Sequence, residues 1–137
     1  MITTNPYLNF PGTCEEAFRL YEKTLGGKIL MLHRARGTPM ESQVPADRLD
    51  KIMHIRMEVG GSVIMGSDTP PDQYSPPKGY AINVSVDDPA EADRIFAALA
   101  EGGKAHMPIA ETFWARRFGM CVDRFGTPWM VNCEKPM

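Results

Sequence analysis

The sequence predicts an α+β protein in which two tandem βαβββ modules form a cupped mixed sheet. Strand-like and helix-like stretches follow one another in the same order in both halves of the 137 residues. In each half the predicted helix ends at the letters Gly-Gly-Lys, which begin at Gly26 and at Gly102. A repeated order of elements with matching ends indicates an internal duplication. We therefore expect one domain, residues 1–137, with modules at about 1–69 and 79–137 and a proline-rich linker at 70–78.

The first module begins with a predicted strand in NPYLNF, where Pro6 is typical of an edge strand. A helix is predicted in GTCEEAFRLYEKTLGG, with Thr13 as N-cap and Glu16 completing a capping box. Gly26 is suited to the left-handed conformation that ends a helix. Three strands follow, in KILMLHRA, KIMHIRMEV and SVIMGSD, and a Gly-Gly turn joins the last two into a hairpin.

The second module repeats this order after the linker. YAINVSV and KAHMPIA read as strands on either side of a helix in DDPAEADRIFAALAEGG, with Asp88 as N-cap and Pro89 at its first position. RRFGMCVDRFGTPWMVNCE reads as the closing hairpin, and alternation turns Trp129 towards the core and Met130 to the opposite face. Each module leaves one sheet face apolar, so two modules can cover each other or line a cleft.

Composition excludes several classes of partner. The net charge is −2, from 15 basic and 17 acidic residues spread along the chain, so we expect neither a nucleic-acid partner nor an anionic membrane partner. No apolar run approaches the roughly 18 residues of a membrane span. The three cysteines are widely spaced, which favours reduced thiols over a disulfide framework. We therefore expect a cytoplasmic protein.

The segments PYLNFPGTCEEAFRLYEKTLGG, HIRMEVGGSVIMGSD and, above all, ETFWARRFGMCVDRFGTPWMVNCEK carry a resemblance to a known family. The chain resembles the vicinal oxygen chelate superfamily, which includes glyoxalase I, bleomycin-resistance proteins and extradiol dioxygenases, and within it the PhnB-like group. The resemblance implies a glyoxalase-like fold of paired βαβββ modules, and it implies a homodimer, since two modules often complete a cup across two chains.

The resemblance also implies a place for a divalent metal, which the superfamily holds through His, Glu or Gln on the first and last strand of each module. In this chain those places carry Asn5 to Tyr7, Met65, Ala81 and Met130. None of these is a good ligand for such an ion, which prefers imidazole or carboxylate groups. We therefore predict no metal and no cofactor. Some relatives are described as demethylubiquinone methyltransferases, but no glycine-rich nucleotide loop follows a strand here.

Nine residues are predicted to bind a small-molecule ligand in the cup. His54 is a candidate polar group or general base on its strand, although an exposed histidine beside charged neighbours would give the same pattern. Strict alternation groups His54 with Ile52, Arg56 and Glu58 on one face. Met65 and Met130 make the expected metal place apolar. The predicted ligand-binding residues are Tyr7, His54, Met65, Tyr80, Asn83, Glu111, Trp114, Arg116 and Met130.

The residues before the last hairpin allow two interpretations. Glu111 and Arg116 can lie at the rim of the cup, with Trp114 as an aromatic wall for the ligand. Alternatively, the two charged residues form an ion pair and the tryptophan is buried. Cys14, in the first turn of the first helix, has a further alternative role as a nucleophile, because a helix N-terminus lowers the pKa of a thiol.

Two functions remain open from the sequence. The first is a small-molecule-binding protein with a partly apolar, cup-shaped pocket and no standard metal site, as in the bleomycin-resistance branch of the resemblance. The second is a divalent-metal-dependent lyase, isomerase or dioxygenase whose ion is held by His54, Glu111 or a neighbour. No residue is assigned a catalytic role, and metal analysis of the purified protein distinguishes the two.

Overall fold

The computed structural model describes residues 1–136 of the chain. It divides into two units, Met1–Ser75 and Pro76–Met137, whose boundary falls inside the predicted linker. Each unit holds one four-stranded mixed sheet and one α-helix in the order β-α-β-β-β. The prediction of two tandem βαβββ modules is therefore confirmed.

The first unit contains five regular elements. They are β1 (Tyr7–Phe10), α1 (Cys14–Leu25), β2 (Lys28–Arg34), β3 (Ile52–Val59) and β4 (Ser62–Asp68). The strand order is β1-β4-β3-β2, with β1 parallel to β4 and the other pairs antiparallel. The predicted polar loop between β2 and β3 contains two short 3-10 helices, Glu41–Gln43 and Ala46–Arg48.

The core of the first unit lies between α1 and one face of its sheet. The Phe10 and Phe18 rings meet edge to face with centroids 6.2 Å apart, and Tyr21 lies 5.7 Å from Phe18. The ring of Phe18 packs directly on the backbone of Gly66 in β4. A Cβ at this glycine would lie 2.7 Å from the ring, so no larger residue fits there. The helix thus packs closely on the sheet through an aromatic cluster and one glycine.

The predicted capping box of α1 is wrong, because the side chain of Thr13 makes no capping hydrogen bond. Its φ of −111° and ψ of 16° lie outside the extended region that an N-cap side chain requires. Asp68 from β4 replaces it: Oδ1 accepts from the Cys14 N–H at 2.9 Å, and Oδ2 accepts from the Ile52 N–H at 2.8 Å. The C-terminal prediction is confirmed, since Gly26 has a φ of 67°.

Strict alternation along β3 is also wrong at its start. Ile52 is 2% exposed and Met53 is 38% exposed, the reverse of what the period predicts. The pairing of β2 with β3 shifts register between His33 and Arg34, so the residues before His54 change face. From His54 to Glu58 the predicted alternation holds, with Ile55 and Met57 buried.

The second unit repeats the arrangement with β5 (Ile82–Ser85), α2 (Pro89–Ala100), β6 (Lys104–Ala110), β7 (Ala115–Val122) and β8 (Pro128–Glu134). The strand order is β5-β8-β7-β6, with β5 parallel to β8. The predicted caps of α2 are confirmed, since Asp88 accepts a hydrogen bond from the Ala90 N–H at 3.1 Å and Pro89 is the first helical residue.

Trp129 is the largest fully buried side chain of the second unit, at 1% exposed, so its predicted orientation is confirmed. Its indole Nε1–H donates to Oδ2 of Asp123 at 2.8 Å. Oδ1 of the same carboxylate accepts from the backbone N–H groups of Phe125 and Thr127. One buried acid therefore fixes both the turn between β7 and β8 and the core tryptophan. None of the helices described within residues 1–136 is long and apolar enough to cross a membrane.

Candidate functional site

Each sheet has one face that its own helix covers and one face that it does not, which we term the open face. On β1, the buried residues Leu8 and Phe10 alternate with Tyr7 and Asn9. Because side chains alternate along a strand, Tyr7 and Asn9 lie on the open face. Cross-strand partners share a face, so the register extends the set across the sheet. The first open face comprises Tyr7, Asn9, Lys28, Met31, His33, His54, Arg56, Glu58, Val63, Met65 and Ser67.

A row of four residues crosses the first open face. Tyr7 is the partner of Met65, Met65 of Arg56, and Arg56 of Met31. His54 lies beside this row: its Nδ1 is 3.3 Å from the Tyr7 hydroxyl, and the two rings stack with centroids 5.8 Å apart. The structure therefore brings together three of the predicted ligand-binding residues, Tyr7, His54 and Met65.

The equivalent row of the second unit consists of Asn83, Met130, Met120 and Met107, which are cross-strand partners in that order. Asn83 and Met130 were both predicted, and the structure brings them together. The first-strand metal position of the second module, predicted at Ala81, is occupied by Asn83. Asn83 pairs with Met130 in the same way that Tyr7 pairs with Met65. The second open face comprises this row with Ser85, Phe118 and Asn132.

The second open face also holds an unsatisfied acceptor and an aromatic edge. Oδ1 of Asn132 is buried and has no hydrogen-bond partner among residues 1–136. Such an atom is satisfied by a water or by a donor group of a ligand. Trp114, 44% exposed, packs edge to face on Phe118 with centroids 5.3 Å apart, and the 88% exposed Phe113 packs on Trp114 at 4.8 Å.

Three predicted residues lie apart from the two rows. Glu111 forms an ion pair with Lys135 at 3.3 Å. Arg116 donates to the backbone carbonyls of Glu134 and Asp87 at 3.2 and 2.8 Å. The alternative of a Glu111–Arg116 pair beside a buried tryptophan is thus wrong. Tyr80 is exposed and precedes β5.

Within residues 1–136, no group of three or more His, Cys, Asp and Glu side chains is placed to hold a metal ion. The thioethers of Met65 and Met130 occupy equivalent places on β4 and β8. Thioethers suit soft ions such as Cu(I) rather than Mg²⁺, Mn²⁺ or Zn²⁺.

The nucleophile alternative for Cys14 is wrong. Burial, followed by the charges of Asp68 and Glu15, raises the pKa of this thiol far above its ordinary value. Burial and Asp123 raise the pKa of Cys121 to about 11. Both thiols are therefore protonated at neutral pH, and the helix N-terminus does not compensate for desolvation.

A separate groove of about 590 Å³ lies in the first unit and contains none of the predicted residues. Two acids and two bases lie among its lining residues, and the amine of Lys51 already donates to the Gly12 carbonyl at 3.0 Å. This mixture of charges favours no ligand class. The groove is lined by Pro11, Gln43, Val44, Pro45, Asp47, Arg48, Lys51, Pro70, Pro71 and Asp72.

The sequence-based site lacks several residues that share the open faces. Met120 could have been found from the register of the last hairpin, which pairs it with Met130. Met107 lies on β6 and joins the row through its pairing with Met120. Arg56 could have been found from its spacing of two from His54. Asn132 gave no sequence signal, because only burial makes its carbonyl oxygen unusual.

Comparisons with known proteins find one matching family model and similar chains in bacteria. A family model described as "3-demethylubiquinone-9 3-methyltransferase" matches residues 3–132. Protein YjdN of Escherichia coli is 34% identical, over 96% of this chain and 95% of its own. The crystal structure of protein PA1353 from Pseudomonas aeruginosa is 47% identical with a TM-score of 0.89, covering 99% of this chain and 100% of that one. A putative 3-demethylubiquinone-9 3-methyltransferase, PhnB protein, from Bacillus cereus has 21% identity and a TM-score of 0.83, over 96% and 99% of the chains.

Proposed function

We propose that this chain, which belongs to the 3-demethylubiquinone-9 3-methyltransferase family, is of the PhnB-like, vicinal oxygen chelate type and binds a small, partly apolar molecule on its open faces. The observation that carries the proposal is the pair of methionines, Met65 and Met130, at equivalent central places of the two sheets. Thioether side chains adapt to apolar and aromatic groups.

The neighbours of these methionines support binding rather than packing alone. Beside Met65 lie the Tyr7 hydroxyl and the His54 imidazole, which can orient a ligand. Beside Met130 lies Asn83, whose amide donates to the Ser85 hydroxyl at 2.9 Å. A few polar groups around an apolar centre are typical of small-molecule sites.

The proposal extends to the assembly and the compartment of the protein. We infer one domain of two modules that pairs with a second copy as a homodimer burying more than about 2,000 Å² in total. The three cysteines, all free and buried, suit the reducing cytoplasm. Light scattering at micromolar concentration tests the dimer, and a monomeric mass would contradict it.

Binding is tested with Nile red, a neutral apolar dye whose fluorescence rises on leaving water. We expect saturable binding that weakens in Met65→Gln and Met130→Gln, because each change puts an amide into the apolar centre. Met40→Gln is the matched control, since Met40 is an exposed methionine outside both open faces. Equal dye binding by all three variants and the wild type would overturn the proposal.

A metal-dependent enzyme remains the second candidate. The observation that favours it is the direct cross-strand pairing of His33 with His54, since two imidazoles on one face can hold a divalent ion. Metal analysis of the purified protein separates the candidates. Stoichiometric Zn, Ni, Mn or Fe, lost in His54→Ala, would favour the enzyme.

A further inference from the structure

The two open faces differ at one structurally equivalent position. In the second unit the row reads Asn83, Met130, Met120 and Met107, whereas in the first it reads Tyr7, Met65, Arg56 and Met31. Arg56 therefore stands where the second unit has Met120. A guanidinium takes the place of a thioether, with Met65 and Met31 as its cross-strand neighbours.

The charge of Arg56 is not used inside the protein. Within residues 1–136 its side chain makes no ion pair or hydrogen bond, and it is exposed. The strand arginines that face the helices are paired instead: Arg34 with Glu15 at 2.9 Å and Arg117 with Asp93 at 2.7 Å. A guanidinium presents a planar fork of donors that matches carboxylate and phosphate oxygens. Arg56 is thus available to an external anion.

Donor groups outnumber acids on the first open face around Arg56. The contact between the Tyr7 hydroxyl and Nδ1 of His54 fixes the imidazole and leaves its Nε2 for a ligand. His33 is opposite His54 on the same face. The acid on this face of β3 is Glu58, which is the cross-strand partner of Lys28. A bound cation would be repelled by Arg56, so the charges favour an anion over a metal ion.

We propose that the first open face binds the anionic group of the ligand, a carboxylate or a phosphate, with Arg56 as the anchor and the Nε2–H of His54, oriented by Tyr7, as a further donor. This inference rests on the proposed function and names the chemical class of its ligand: an apolar or aromatic molecule that carries an oxyanion. The methionines beside Arg56 contact the apolar part of the same molecule, which removes water from the ion pair and strengthens it.

The test compares 2-naphthoate with its neutral amide, 2-naphthamide, by NMR titration of the ¹⁵N-labelled full chain. We expect naphthoate to bind about tenfold more tightly than the amide, with shifts in β1 and β3, because a charge-assisted hydrogen bond is about twice as strong as a neutral one. Phenyl phosphate in a third arm tells carboxylate from phosphate preference. Added salt should weaken the binding of the two anions and leave the binding of the amide unchanged.

Three variants decide the role of Arg56. Arg56→Met should remove the preference for the anion and keep amide binding, and Arg56→Lys should restore part of it. Arg124→Met is the control, because Arg124 lies over the Phe125 ring in a turn of the second unit. The inference would be overturned if Arg56→Met kept the preference for the anion. It would also be overturned if the wild type showed no anion preference but bound Ni²⁺, and if this Ni²⁺ binding were lost in His33→Ala and in His54→Ala. Equal binding of naphthoate and naphthamide would overturn this inference alone, whereas no binding of either would also count against the proposed function.

Discussion

The two units hold the start of their helices with different acids. In the second unit the acid is local, since Asp88 immediately precedes α2 and caps it. In the first unit Asp68 arrives from the end of β4 and binds both the Cys14 and Ile52 N–H groups. The place of Asp68 is taken in the second unit by Cys133, whose thiol contacts the Asp87 carbonyl at 3.5 Å. The same fold therefore accepts either a local or a long-range solution at one helix end.

The two units are expected to differ most in the stability lost when the second glycine of each Gly-Gly-Lys is replaced by alanine. A Cβ on Gly103 would overlap the Val122 carbonyl oxygen and the Asp123 backbone, which cannot move aside. A Cβ on Gly27 would meet Met57 and Val59 side-chain atoms at 3.0 and 3.1 Å, though also the Glu58 carbonyl oxygen at 3.1 Å. We expect Gly103→Ala to cost about 3 kcal/mol or more of unfolding free energy and Gly27→Ala about 1 kcal/mol. Urea denaturation of both variants checks the order, and equal costs would contradict it.

The two tryptophans should separate stability from binding. Trp129→Ala is expected to lose about 3–5 kcal/mol, because it empties a buried site and leaves Oδ2 of Asp123 without the indole donor. Trp114→Ala should cost about 1 kcal/mol or less, since the ring is 44% exposed, but it should weaken Nile red binding. Thermal melts and dye titrations measure the two effects. Equal destabilisation by the two changes would remove the distinction.

Replacing each capping acid by alanine measures how much stability each helix start gains from its cap. Asp68→Ala removes two charge-assisted bonds, one to a helix terminus and one to a strand, so we expect a loss of about 2 kcal/mol. Asp88→Ala removes one exposed cap and should cost about 1 kcal/mol. Asp87→Ala is a control for charge at the same helix end. A larger cost for Asp88→Ala than for Asp68→Ala would mean that the long-range cap adds little.

The smallest effect is expected at the ion pairs between helix and strand. The hydrogen bond from Arg34 lowers the pKa of Glu15, so this pair stabilises the first unit above the ordinary carboxyl range and loses that contribution as pH falls through the lowered pKa. Because the pair is partly exposed, we expect about 0.5 kcal/mol at neutral pH. Arg34→Met should flatten the acid side of the stability curve. Arg117→Met, which breaks the pair of the second unit, is the matched comparison, and an unchanged acid limb in Arg34→Met would refute the assignment.

Local patterns predicted most of the fold. The strands β4 and β6 coincide with the predicted segments SVIMGSD and KAHMPIA, because alternation and glycine turns are encoded within a few residues. Asp88 was identified as a cap for the same reason. Asp68 as the cap of α1 was not, since its partner Cys14 is 54 residues away in sequence.

The candidate site could be predicted only in part. Tyr7, Met65 and His54 follow from periodicity together with the family resemblance. The change of face at Ile52 depends on a register shift in the pairing with β2, and such shifts leave no mark on one strand alone. Arg116 looked like a rim residue by composition, but its guanidinium is occupied by two carbonyls that only the fold brings near it. Side-chain type was therefore readable from the sequence, whereas the partner of each side chain was not.

Because the three cysteines are buried, they can report the opening of each unit separately. Cys14 belongs to the first unit, and Cys121 and Cys133 belong to the second. A thiol reagent can reach none of them until the surrounding unit opens, so the labelling rate of each cysteine measures the opening frequency of its own unit. Mass spectrometry of partly labelled protein would then reveal whether the two units open together or one at a time.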